Sequence, residues 1–240
     1  MADINTLGLA EVILYLAIGI LPLLYFRRDG ILFGIAALAY FIAIAAKLIV
    51  EQSFVSFFSG HSLAAYAAYG VLTAVFEIGL AYAFVRVYTG GYRPDRGWAY
   101  GVYLAFFENA ILIGAFGFLS LIALAITNSN SGQSALGPGA ALILVSASFE
   151  RISSLIAHAV WGYLVFYAAL NRKPMHALLP VPLAFVDSLA AWWNATHAIS
   201  YPLLIAVLLT YVVIASVFIL YLSGHWEDAR RGLSRKHYAD

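Results

Sequence analysis

Cysteine is absent from the 240 residues, which excludes disulfides, thiolate catalysis and cysteine-ligated metal. Charge is scarce as well. Charged residues make up 10% of the chain, against about 25% in soluble domains, so an ordinary water-soluble fold is excluded. The net charge of +1 gives no attraction for a polyanion, and nucleic acid is not expected as a partner. The opening stretch MADINTLGLAEV has no basic segment, and Glu11 interrupts its apolar run, so no cleavable leader is expected. There is no internal repeat, no low-complexity tract and no linker that would divide the chain. The last apolar segment, AISYPLLIAVLLTYVVIASVFILYL, has no lysine, which excludes a seven-span retinal protein with its Schiff base.

What is present is apolar length. Hydrophobic residues make up 63% of the chain, and windows of roughly 20 of them mark transmembrane helices. Seven such windows predict an all-α polytopic bundle, with spans at 5–26, 31–51, 61–87, 97–127, 141–170, 176–194 and 198–222. The connections RRDG, TGGYRPDRG and NSNSGQSALGPG carry turn residues. This predicts a single transmembrane domain over 1–222 and a short polar tail over 223–240.

The basic residues orient the bundle. Arg27 and Arg28 follow span one, Arg86, Arg93 and Arg96 follow span three, and Arg172 and Lys173 follow span five. Arg230, Arg231, Arg235 and Lys236 follow span seven, and the other three loops have no Lys or Arg. By the positive-inside rule the N-terminus is expected outside and the tail in the cytoplasm, in the cell membrane. The lipid bilayer is the first expected partner, with anionic headgroups near the basic tail.

Ionisable groups inside the spans fall into two layers when depth is counted at about 1.5 Å per residue. Glu77, Glu108, His158 and Asp187 fall at roughly 15–18 Å from the basic face, near mid-membrane. Three carboxylates and an imidazole in a dry site must retain protons or hold a cation. They are therefore the candidate catalytic residues and a candidate divalent-metal site, with no other cofactor expected. Glu11, Lys47, Glu51, Glu150 and Arg151 fall nearer the other face and read as structural ion pairs. Glu150 and Arg151 point about 100° apart on a helix, so each is expected to meet a neighbour, Lys47 for Glu150 and Glu11 for Arg151. Arg151, Ser154 and His158 share one helix face, as do Tyr66, Thr73 and Glu77, and Asp187 with Asn194.

Five segments together resemble one family. They are LFGIAALAYFIAIAAKLIVEQ, AAYGVLTAVFEIGLAYAFVR, GVYLAFFENAILIGAFG, FERISSLIAHAVWGYLVFYA and LAFVDSLAA. Their order resembles that of the YhfC family of glutamic-type intramembrane proteases, relatives of the prenyl-protein endopeptidases. The resemblance implies an intramembrane peptidase in which a glutamate activates water and histidines bind or polarise the scissile carbonyl. Glu77, Glu108, Glu150, Arg151, His158 and Asp187 match positions of its motifs. Ile78 replaces a second glutamate, Ala81 an arginine, Leu104 and Leu183 histidines, and Gly162 a serine.

Apolar replacements cannot relay a proton, so the resemblance points to a scaffold with lost or altered peptidase chemistry. On that reading the chain is an accessory or partner-binding membrane subunit. An active peptidase using Glu77 and His158 on a transmembrane peptide is the alternative. A proton-linked transporter is the third, although repeats are absent and intramembrane prolines are few.

Overall fold

The computed structural model describes residues 6–26, 29–60, 62–126 and 140–233. Arg27, Arg28, Arg235 and Lys236, which the orientation reading uses, lie outside them, as do residues 1–5 and 127–139. The described residues are all-α, with no strand among them. Among the described residues, seven helices are long and apolar enough to cross a membrane. They are α1 (Thr6–Leu24), α2 (Gly30–Ser53), α3 (Leu63–Val85), α4 (Pro94–Ile126), α5 (Ala140–Leu170), α6 (Pro174–Thr196) and α7 (Tyr201–Leu222). An eighth, α8 (Trp226–Leu233), occupies part of the polar tail and lies against α4. Such a bundle is a multi-pass membrane protein in contact with lipid. Its exposed Leu, Ile, Val and Phe side chains suit acyl chains.

Local chemistry sets where the helices start. Asp29 caps α2 by accepting from the Leu32 N–H at 3.0 Å. Its other oxygen accepts from the Tyr88 hydroxyl at 2.5 Å, and Arg96 stands 3.9 Å away. Burial opposes the charge on Asp29, but these donors outweigh it and hold the carboxyl below its usual range. Ser62 caps α3 in the same way through the Ala65 N–H. Pro94 and Pro202 sit in the first turns of α4 and α7, where a missing N–H costs nothing.

Three spans depart from the regular α pitch. Residues Thr73–Ile78 of α3 and Phe107–Ala115 of α4 are wound as π-helix. Such segments recur at functional sites because they re-aim side chains within a continuous helix. In α6, Pro180 and Pro182 break the α ladder. The span begins as two 3₁₀ turns, Pro174–Ala177 and Val181–Phe185, and becomes α-helical only at Val186.

The core is densest where α4 crosses α5. A Cβ on Gly162 would lie 2.2 Å from the Gly101 Cα, and one on Gly101 would lie 2.5 Å from the His158 carbonyl oxygen. The two backbones touch, as small residues permit between membrane helices. Around this crossing, Tyr100, Tyr163, Leu164, Phe166 and Leu183 are fully buried.

Candidate functional site

The Gly101–Gly162 contact sets the register of the site. Glu108 is seven residues beyond Gly101 on α4, on the same face. On α5, His158, Ser154 and Arg151 precede Gly162 by four, eight and eleven residues, again on one face. The two stripes meet. Arg151 Nη1 is 3.1 Å from Glu108 Oε1, and the Ser154 hydroxyl donates to that same oxygen at 2.7 Å. His158 Nε2 stands 3.2 Å from Glu108 Oε2.

A second close approach brings in α3 and α6. Gly70 packs against Phe185 and Ser188, and its N–H donates to the Ser188 hydroxyl at 3.1 Å. One turn on, the Thr73 hydroxyl donates to Asp187 Oδ2. Lys47 reaches in from α2. Its ammonium lies 2.6 Å from Glu77 Oε1, 2.9 Å from Asp187 Oδ2 and 2.9 Å from Thr73 Oγ1. Glu77 Oε2 then faces His158 Nε2 at 3.6 Å.

Glu77, Glu108 and His158 thus converge, with donor atoms all within 4.8 Å of one another. Asp187 is one step removed, bound to Lys47 and Thr73. It is not part of the converging triad. Lys47 belongs to this central network rather than to an outer layer of ion pairs. Depth counted on Cα positions misplaces it for two reasons. Side chains on a helix tilt toward its N-terminus. Lys47 on α2 therefore leans toward the basic face, while Glu77 on the antiparallel α3 leans away from it, closing the gap between them. The 3₁₀ turns of α6 also rise about 2.0 Å per residue, carrying Asp187 farther than an α count implies.

The outer pairings differ as well. Arg151 bonds Glu150, its neighbour in sequence, as well as Glu108. A 100° separation at the backbone does not keep apart two long side chains. The Tyr201 hydroxyl donates to the other oxygen of Glu150. With Lys47 and Arg151 so engaged, neither Glu11 nor Glu51 has a basic side chain within ion-pair distance among the described residues. Asn109, fully buried, donates to the Arg151 carbonyl at 3.3 Å, and Arg151 Nη1 lies 3.4 Å from its side-chain oxygen. Nothing in the residue pattern singled out Asn109 or Tyr201. Lys47 did carry a signal, as the only lysine inside a span.

The protonation geometry of the triad is specific. His158 Nδ1 is 2.9 Å from the Ser154 carbonyl oxygen, which can only accept, so Nδ1 carries a proton. A neutral imidazole then turns the Nε2 lone pair toward Glu77 Oε2 and Glu108 Oε2. Nε2 is fully buried and has no hydrogen-bond donor facing it. Three electron-rich atoms cannot face one another in a buried site without a proton or a cation between them.

Two cavities adjoin this network. A narrower, more enclosed chamber of about 90 Å³ is walled by Glu77, Glu108, Arg151, Ser154, His158 and Asp187 among others. That is room for about three waters at roughly 30 Å³ each. A wider vestibule of about 580 Å³ is lined by Lys47, Glu51, Tyr66, Tyr69, Asp187 and Asn194 among others. No protein-family model, curated protein or solved structure matches the chain.

Proposed function

We propose that the chain is an intramembrane hydrolase with altered peptidase chemistry, in which Glu77, Glu108 and His158 hold a divalent cation beside a membrane-inserted peptide. The observation that carries this is the buried Nε2 of His158 facing one free oxygen of each glutamate.

The donor set fits such an ion. Tetrahedral coordination at 2.0–2.2 Å puts neighbouring ligand atoms about 3.3–3.6 Å apart. The Nε2 to oxygen distances are 3.2 and 3.6 Å. Each would-be ligand is already oriented through its other atom, as ligating histidines and carboxylates commonly are. Nδ1 of His158 is fixed by a backbone carbonyl, Glu77 Oε1 by Lys47, and Glu108 Oε1 by Arg151 and Ser154. Charge points the same way. The network holds four carboxylates, Glu77, Glu108, Glu150 and Asp187, against the fixed cations Lys47 and Arg151. By formal charge, with His158 neutral, a dication would balance the two carboxylates in excess of the two cations.

A bound divalent ion supplies a lowered pKa for water and polarisation of a carbonyl oxygen. The chain's own residues do the rest. Glu77, Glu108, Glu150 and Asp187 all line the chamber, so a water there has carboxylates within reach as candidate bases. Lys47 and Arg151 hold the Glu77 and Glu108 carboxylates in place through ion pairs at 2.6 and 3.1 Å. Buried Trp161, with its ring centroid 4.1 Å from that of His158, restricts the imidazole and helps keep bulk water out. By the positive-inside rule the vestibule opens on the outer face of the cell membrane.

The resemblance to the YhfC family supports a peptide as substrate, but the five replaced positions mark the chemistry as different. Ile78, Ala81, Leu104 and Leu183 are each 3% exposed or less, and Gly162 has no room for a side chain. Those sites are core packing, which favours the second reading, a partner-binding membrane subunit without catalysis. Proton-linked transport is less favoured. Leu183 lines the chamber, and Tyr100, Tyr163, Leu164 and Phe166, nearer the basic ends of α4 and α5, are fully buried.

The test is cleavage of a library of transmembrane peptides by purified protein in liposomes, read by mass spectrometry. Cleavage that 1,10-phenanthroline abolishes and Zn²⁺ or Mn²⁺ restores is the expected result. Cleavage indifferent to chelator would contradict the metal, and no cleavage of any peptide would favour the partner-binding subunit.

A further inference from the structure

We infer that the Lys47–Asp187 ion pair is a removable partition, through which the vestibule opens into the chamber when Asp187 swings off Lys47. This rests on the reading above only in taking the chamber as the functional centre.

The two cavities share Asp187 and Ala190 as wall residues. Between them stand the Lys47–Asp187 contact at 2.9 Å and the Thr73 hydroxyl that also holds Asp187. The vestibule is lined by the end of α2, the start of α3 and the end of α6. It therefore opens on the face opposite the basic loops. Tyr66 lines it too, buried and with no hydrogen-bond partner for its hydroxyl.

The two ends of the pair differ in what they lose on separation. The Asp187 side chain is 42% exposed, so it can be hydrated once released. Lys47 is 11% exposed but keeps Glu77 at 2.6 Å, so no buried charge is stranded. Breaking a buried pair is costly mainly when it leaves an uncompensated charge. The Arg151–Glu108 pair, 10% and 18% exposed, is closed on both sides and forms the fixed wall.

Beyond its contact with Gly70, the segment that carries Asp187 is lightly buried. None of the residues in Val186–Thr196 is fully buried, and the helix follows a non-α stretch over Val181–Phe185. Few buried contacts beyond a break in helix geometry mark a segment of low local stability. In opening, the substrate's own acceptor oxygen takes Asp187's place on the Lys47 ammonium, which makes Lys47 a positioning residue.

The cysteine-free chain allows a direct test. Ala157→Cys places a thiol in the chamber wall and Asn194→Cys one in the vestibule. Each is reconstituted in liposomes and treated with the membrane-impermeant methanethiosulfonate ethyltrimethylammonium. Asn194→Cys is expected to react rapidly whatever stands at 187. Ala157→Cys is expected to react slowly with Asp187 in place, and about tenfold faster or more with Asp187→Ala. Asp187→Asn, which retains an acceptor oxygen for Lys47, should be intermediate.

An unchanged Asn194→Cys rate in the 187 variants checks the fold, and the milder Asp187→Asn decides if Asp187→Ala does not fold. An Ala157→Cys rate that neither 187 variant alters would overturn the partition, as would one equal to that of Asn194→Cys in the native background. The readout needs neither metal nor hydrolysis. A rate change in a protein that binds no ion would keep the partition and remove the hydrolase, and the converse result would do the reverse.

Discussion

Glu77→Gln is expected to lower peptide cleavage by at least about 10²-fold while leaving the bundle folded. The substitution keeps the shape of the side chain and an oxygen for Lys47 at the position of Oε1, which now lies 2.6 Å from the ammonium. It removes the charge that would hold a cation and the basicity needed to take a proton from water. Loss of a positioned acid or base costs about 10²–10⁴ in rate. His158→Ala is expected to cost at least as much, because it deletes the buried nitrogen that both glutamates face. It also leaves a hole beside Trp161, so its melting temperature should fall where that of Glu77→Gln does not. Glu227→Gln, on the exposed α8, should match the native rate. Native cleavage by either central variant, on a confirmed peptide substrate, would remove the centre from the mechanism.

Gly162→Ala is expected to be among the most destabilising substitutions in the chain, although it adds one methyl group. Its Cβ would stand 2.2 Å from a backbone atom of Gly101. No rotamer relieves a clash between backbones, so α4 and α5 must separate. Overpacking typically costs about 1–3 kcal/mol, and a contact between rigid backbones belongs at the upper end. Separation would also slide Glu108 away from Arg151, Ser154 and His158, because those contacts inherit the register of the glycine crossing. Gly162→Ser, which restores the residue expected from the resemblance, should therefore lose stability and function together. Gly101→Ala should do the same, and the double variant should be less damaging than the sum, since the first change already parts the helices. Thermal unfolding in detergent measures all three, and a melting temperature unchanged in Gly162→Ala would show that the helices do not touch there.

The spans were legible in the sequence because the bilayer imposes a length and composition on each. The convergence of Glu77, Glu108 and His158 was legible for a related reason. Ionisable groups at one depth on different helices have nowhere favourable to go but toward one another. Contacts that depend on departures from a uniform helix were hidden. Lys47 reads as peripheral when only its Cα is placed, yet its side chain spans the distance to Glu77. Asp187 is shifted by 3₁₀ turns, and Glu77 and Glu108 each lie in a π segment that no residue pattern announced. Gly162 read as the loss of a serine. In the structure it is the point of closest approach on which the site's register depends.

The central claim is that Glu77, Glu108 and His158 hold one divalent ion. Metal content settles it most directly. The purified chain is equilibrated with Zn²⁺ or Mn²⁺, freed of loose ions and measured by plasma mass spectrometry beside the Glu77→Gln/His158→Ala double variant. The account predicts about one ion per native chain, with an X-ray absorption spectrum of nitrogen and oxygen ligands including one imidazole, and almost none in the double variant. Equal metal in the two proteins, at any level, would contradict it.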